Sequence, residues 1–534
     1  MKMHAVRRPS LRLPVGVLAA ALSVSVVTLG VGTSGGVRGN SSLPPGAVVL
    51  KAPSLKGIYA IPGHGPAPAY TVSSSVGLLK LTPNQATAGT TVTVTGQGLA
   101  HAASVLLTWG TWNATWIADP EPNTANYMGR TSTAVDVVLG HVTTNSNGAF
   151  SYKFVVPHDF GGIHEINAVI GGVSQAYGGL VLRRTVTISP TSGPIGTPIT
   201  ITYSGLGSSL YSLGGSVLWD NHFAGEMTAN WTRGTATAVI PAAGPVGTHY
   251  IQVGDGIGIL YMNIQQSPLP YATGRTVAFR TTSDPGPRAA AIYWPQQVVP
   301  TVSARTTLLS GVSGSATEGL STTQGTVGSR VTVKATGISS NAAVQMYFVT
   351  VVGNRVNCTG VCWANVSVPL GTATVSNGAV HANVHIPDGL GGWHIIELAQ
   401  GSTAIAQEPF YVKASVVGHG VSALVVKQGS HFTMHFKGIG WTQFDNTMAV
   451  DYDNSFVGYG CGFNSNGDMV VNLIATGGPG THIIDLYPQL YTNQPSFPNS
   501  QFGMLPFLTY AKDFPGLALG YHVPAIRLAV TVVP

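Results

Sequence analysis

Gly89-Thr-Thr-Val-Thr-Val-Thr-Gly96 places a run of β-branched residues between two glycines and alternates hydroxyl with apolar side chains. An extended chain sends successive side chains to opposite faces, so this run reads as a strand with one face in a core and one in water. The same opening recurs as Gly196-Thr-Pro-Ile-Thr-Ile-Thr202, Gly328-Ser-Arg-Val-Thr-Val-Lys334 and Gly429-Ser-His-Phe-Thr-Met-His435. Repetition on this scale decides architecture before any local reading does.

A second element follows each opening: Phe160-Gly-Gly-Ile-His164-Glu-Ile166, Val246-Gly-Thr-His249-Tyr-Ile251, Leu390-Gly-Gly-Trp-His394-Ile-Ile396 and Pro479-Gly-Thr-His482-Ile-Ile484. His394 follows His164 by 230 positions, whereas His482 follows His249, and Asp453 follows Asp220, by 233. Repeats one and three therefore match, as do two and four, and the chain is a duplicated two-domain unit. Gly-Gly-x-His marks the odd repeats; Gly-Thr-His and an aromatic-Asp-Asn element (Trp219-Asp220-Asn221, Tyr452-Asp453-Asn454) mark the even ones. Asn-Gly at 147–148, 377–378 and 466–467 suits tight hairpin turns.

About seven short strands per hundred residues, with turn signals between them and almost no helical periodicity, predict an all-β chain of tandem immunoglobulin-like sandwiches. The runs from Leu81-Thr-Pro-Asn84 to Gly98 and from Ile188-Ser-Pro to Ile201 resemble the opening of the IPT/TIG and related immunoglobulin-like repeats of bacterial surface proteins. The resemblance covers most of the chain from about residue 77. It implies the fold and leaves the role open among spacer, adhesin, surface-layer unit and enzyme accessory. The expected domains are 77–186, 187–264, 316–414 and 415–534, the last with a C-terminal extension. Segment 265–315 is a Pro/aromatic-rich tail or linker, and 37–76 an N-terminal linker.

Composition agrees. Lys+Arg number 25 and Asp+Glu 19, so 8% of 534 residues are charged, against about 25% in an ordinary domain. Coiled coils and long solvated helices are excluded. The net charge of +6 comes partly from Lys2, Arg7, Arg8 and Arg12 and does not argue for nucleic acid. An uncharged stretch, Leu13 to Gly32, follows those cations, so 1–36 reads as an export signal or an uncleaved signal anchor. An exported chain permits a disulfide between Cys358 and Cys362 across a small loop, leaving Cys461 over.

Four equivalent histidines invite a metal or pH-switch reading, but one per domain cannot converge on an ion. Each precedes a core isoleucine by two residues, near the place of the tyrosine corner, so His164, His249, His394 and His482 are expected to bond an upstream carbonyl. Asp451-x-Asp453-Asn454 offers oxygen ligands for Ca2+, yet the matching repeat has Leu218 where Asp451 stands, which favours a turn. Trp109, Trp112 and Trp116 could stack on sugar rings, or fill a core. No catalytic motif or cofactor fingerprint stands out. The expected protein is exported, non-catalytic and without cofactor or metal. Its role is structural or adhesive at a cell surface, with self-assembly or envelope partners, a glycan in the alternative reading, and membrane contact only through an uncleaved N-terminus. A β-sandwich hydrolase is the third reading.

Overall fold

The computed structural model describes residues 43, 46–53, 64–120, 125–208, 212, 214–256, 263, 265–266, 275–288, 290–294, 312–314, 316–353, 363–417, 424–490, 505–521 and 523–534. The export segment 1–36 and the pair Cys358 and Cys362 lie outside them. Among the described residues no helix is long and apolar enough to cross a membrane.

The second repeat shows the plan. Its strands are Thr185–Ser189, Ser192–Gly193, Pro198–Ser204, Gly214–Trp219, His222–Thr228, Thr235–Pro241, Gly247–Asp255 and Arg275–Thr281. The first, third and sixth form one sheet; the second, eighth, seventh, fourth and fifth, in that order, form the other. The second strand runs parallel to the eighth and the other pairings are antiparallel, the two-sheet topology of an immunoglobulin-like sandwich. Among the described residues this order recurs around four cores, with openings at Thr91–Gly96, Pro198–Ser204, Arg330–Thr336 and His431–Lys437. Alternation dictates what is buried: Val92 and Val94 are wholly enclosed while Thr91 is exposed.

Two expected boundaries move, and one expected extension carries a strand of its own sandwich. Arg275–Thr281 pairs with Gly247–Asp255, so the second sandwich closes inside the segment taken as a tail from 265. Ala525–Val533 likewise closes the fourth sandwich from the far end of its extension. In each case a long excursion separates the last two strands, so the sequence lacks the short turn that would announce the partner. The 37–76 linker also enters the sheet: Val48–Val49 pairs with Ser104–Asp119, and Thr71–Leu78 runs parallel to Val173–Leu182. From the tail, Ala291–Tyr293 adds to Ala525–Val533. Each of these pieces satisfies backbone groups at a sheet edge. Of the Asn-Gly pairs, Asn377-Gly378 makes the two-residue turn with φ 51° and 70°, whereas Asn466 caps a short 3-10 helix.

Residues 36–534 form one compact unit, and the junctions within each duplicated pair explain the Gly-Gly motif. Gly161 N donates to Leu206 O at 2.9 Å, and Gly391 N to Ile439 O at 2.8 Å. A Cβ on Gly161 would stand 1.7 Å from Gly205 O, and one on Gly391 1.8 Å from Gly438 O. Backbone meets backbone there, and only glycine fits.

The core of the fourth repeat takes in side chains from the other three. Trp116 and Tyr127 from the long hairpin of the first, Trp231 of the second, Trp393 and Tyr411 of the third, and Phe436, Phe444 and Phe514 of the fourth belong to one apolar cluster.

Candidate functional site

Each repeat packs its histidine ring against an aromatic residue of the fourth strand of the plan, stacked in the first, second and fourth repeats and tilted in the third. His164 lies 4.3 Å from Trp109, His249 4.8 Å from Trp219, His394 4.7 Å from Phe348 and His482 5.4 Å from Tyr452, centroid to centroid. Nε2 of each meets a carbonyl four residues upstream: Phe160 at 2.5 Å, Pro245 at 2.8 Å, Leu390 at 2.9 Å and Gly478 at 2.8 Å. That bond pins the loop before the strand to the strand itself.

The other ring nitrogen separates the two kinds of repeat. His164 Nδ1 meets Gly110 O at 2.8 Å. His249 and His482 instead meet carboxylates, Asp220 Oδ2 at 2.5 Å and Asp453 Oδ2 at 2.6 Å. Those aspartates are the ones in the aromatic-Asp-Asn elements, where Asp220 and Asn221 have φ 49° and 70°, and Asp453 and Asn454 49° and 60°. Asp and Asn tolerate the left-handed turn, and the spare oxygen accepts from Tyr250 N at 2.8 Å or Ile483 N at 2.9 Å. The shared 233-residue spacing of Asp and His was the available signal for this pair, which sequence reasoning missed.

Burial lowers the His482 pKa, but the hydrogen bond and charge of Asp453, aided by Gly478 O and Asp284, raise it overall. His394, buried without such a carboxylate, is pushed down to about 4. A raised histidine stabilises the fold fully below its unfolded value, about 6.5, and the contribution is lost as pH rises through the folded value. Asp453→Asn is therefore expected to cost about 1 kcal/mol near pH 5.5 and clearly less near pH 8.5. Urea unfolding at the two pH values checks this, and an equal loss at both contradicts it.

The tryptophan cluster does not form an open face. Trp109 and Trp116 have 0% exposure, and only Trp112 is half-buried, edge-on to Phe160. Trp109 donates to Asp159 at 2.8 Å, and Trp116 packs 6.2 Å from Phe507 of the fourth repeat. The sugar-stacking reading of Trp109, Trp112 and Trp116 is corrected accordingly: two of the three serve cores.

Nor do Asp451 and Asp453 cooperate as cation ligands. Asp453 is engaged by His482 and Ile483 N, whereas Asp451 is buried beside its register partner Asp485. Burial, with the Asp485 charge, raises the Asp451 pKa well above the ordinary carboxylate value. Cys461 is exposed, its Sγ 3.2 Å from Thr447 Oγ1.

The chemically densest region lies where the second and fourth repeats meet. Asp485 takes two bonds from Arg527, Nε to Oδ1 and Nη2 to Oδ2, each 2.8 Å, and one from Tyr487 Oη at 2.8 Å. The equivalent register row in the second repeat is Leu218, Gln252 and Thr276, so Asp451, Asp485 and Arg527 belong to the contact face and not to the fold. Around the row, Ile483 and Ala529 pack on Ile195 and Ala243, and Asn454 Nδ2 donates to Pro241 O at 2.8 Å. The excursion before the last strand then reaches across. Glu226 N donates to Pro506 O at 2.9 Å and Leu508 N to Glu226 O at 2.8 Å, which extends the edge of strand His222–Thr228. Short helix Tyr510–Asp513 follows, and Asp513 accepts from Asn230 N and Trp231 N, both at 2.8 Å.

No protein-family model and no curated protein sequence matches the chain. Among solved structures it is similar to a putative membrane-anchored protein from Corynebacterium diphtheriae, at 10% identity and TM-score 0.17, covering 86% of this chain and 91% of that one. The D1–D4 ectodomain fragment of ICAM-5 matches at 12% identity and TM-score 0.15, covering 78% and 95%. A Salmonella alpha-2-macroglobulin mutant matches at 8% identity and TM-score 0.15; 84% of this chain is covered but only 30% of that one. TM-scores this low leave the immunoglobulin-like assignment to rest on the strand order itself.

Proposed function

We propose that the chain is an exported, non-catalytic structural protein of a bacterial cell surface, held there or released, with adhesion or assembly as its task. The observation that carries this reading is the shared apolar core. Modules that bind independently can hang on flexible linkers, whereas these four repeats contribute aromatic side chains to one cluster and weld neighbours through glycine contacts. Such a build resists being pulled apart or unfolded piecemeal, which is what a load-carrying exterior element requires.

The charge economy supports the same setting. The buried carboxyls Asp255, Glu318, Asp451 and Asp513 and the half-buried Asp136 all have raised pKa values, chiefly through burial, Glu318 to about 9. A raised carboxyl binds its proton more tightly in the folded chain, so its contribution is complete below the unfolded value and declines as pH rises to the folded one. His394 works oppositely, losing stability as pH falls from about 6.5 toward its depressed value. The balance favours a mildly acidic exterior.

The test is fractionation of the native host with surface labelling, electron microscopy of the envelope, and melting of the purified chain at pH 5 and pH 8. The expected result is protein outside the cytoplasmic membrane, in an ordered layer, a fibre or an adhesive contact, that melts higher at pH 5. Retention in the cytoplasm, or turnover of a substrate, would overturn the assignment.

A further inference from the structure

A cavity of about 170 Å³ opens between the second and fourth repeats, with Val239, Tyr293, Leu508, Lys512, Ile526 and Arg527 in its wall. We propose that it binds a small organic carboxylate, with the anionic group on Arg527 and Lys512 and an apolar body against Val239, Leu508 and Ile526.

The charge inventory points to an anion. Asp485 already accepts three hydrogen bonds from Arg527 and Tyr487, of the roughly four a carboxylate can take, so it is committed to those neighbours more than to a ligand's donor. Arg527 keeps a buried Nη1 with no acceptor, a costly state for a guanidinium donor. Lys512 adds a second cation, and among the described residues no ion pair engages it. One anion and two cations thus leave a single positive charge at the cavity. Asp451 does not line the cavity, and burial beside Asp485 raises its pKa well above the ordinary carboxylate value.

The rest of the wall defines the ligand's body. Tyr293, which lines the same wall, carries the Arg527 guanidinium over its ring at 5.3 Å, so the cation sits beside apolar surface. A dry cavity near 150 Å³ is about the size that takes benzene, which limits the ligand to one small ring or a short chain. A carboxylate fits better than a phosphate dianion, because only one net positive charge is present and the remaining wall is chiefly apolar.

Titration calorimetry on the full chain tests the site with sodium benzoate, benzyl alcohol as its neutral counterpart, acetate as the head group alone, and inorganic phosphate. The expected result is one benzoate per chain, with benzyl alcohol, acetate and phosphate each about tenfold weaker or worse, the value of one charge-assisted contact. Lys512 is only partly buried, so Lys512→Met should fold and lose about tenfold in benzoate affinity. No benzoate binding, equal binding of benzyl alcohol or phosphate, or an unaffected Lys512→Met would each overturn the proposal.

Discussion

Gly161→Ala and Gly391→Ala are each expected to remove about 3 kcal/mol of stability, and to do so alike although 230 positions separate them. Neither needs glycine for a left-handed backbone. The obstacle is room: the new methyl would sit 1.7 Å from Gly205 O in one case and 1.8 Å from Gly438 O in the other. A carbonyl inside a strand-to-strand junction cannot swing away as a side chain can. It is also fixed by neighbours, since Gly205 N and Leu206 N both donate to Gly234 O at 2.9 Å. Relief therefore requires the two sandwiches to part, which breaks the bond from Gly161 N to Leu206 O and exposes apolar surface. Gly162→Ala is the control. Its φ of 110° strains any side chain, but nothing lies within 4 Å, so it should cost only about 1 kcal/mol. Chemical denaturation of the three variants decides the matter. Gly161→Ala within about 0.5 kcal/mol of the unsubstituted chain would mean that the junction is loose.

The same junction shows how far the sequence could be read. Val92 and Val94 announce a half-buried strand because a period of two is local, and the four histidines announce equivalent loops because duplication preserves spacing. The difference between Gly-Gly-x-His and Gly-Thr-His was visible as well, but its cause was not. Gly161 is dictated by a carbonyl of the next domain, and no local pattern reports that contact. The closing strands Arg275–Thr281 and Ala525–Val533 were hidden for a related reason, since each follows an excursion longer than a turn. The tryptophans illustrate the converse error. Trp109, Trp112 and Trp116 look like a surface cluster when only their spacing is known, yet the hairpin that carries them runs past its own sandwich, and Phe507 covers Trp116. The row Asp451, Asp485 and Arg527 was legible only in part, as the departure of Asp451 from Leu218. Its partners become adjacent through strand register, which spacing alone does not supply.

Asp513→Ala should likewise cost about 3 kcal/mol at pH 7, by a different route. Asp513 is fully enclosed and its two oxygens accept from Trp231 N and Asn230 N, groups 282 and 283 positions away. Alanine would leave both backbone donors buried without an acceptor, each costing about 1–3 kcal/mol. It would also remove an anion that supports Arg130, whose pKa burial has already pulled down to about 10 despite the charges of Asp513 and Glu226. The segment that extends strand His222–Thr228 would lose its anchor, and the shared core would open at Trp116 and Phe507. The pH dependence identifies the cause. Burial outweighs the hydrogen bonds from Trp231, Thr228, Asn230 and Trp116, so the Asp513 pKa rises to about 6. The group therefore stabilises the fold most below its unfolded value near 3.8, and the contribution declines as pH climbs to about 6. The loss in Asp513→Ala, measured by urea midpoint, should be greater at pH 4 than at pH 8. Asp513→Asn retains one acceptor oxygen but turns an amide N–H toward a backbone donor, and should fall between the two. A loss that is larger at pH 8 would show that Asp513 is held as a carboxylate and that hydrogen bonding, not burial, governs this contact.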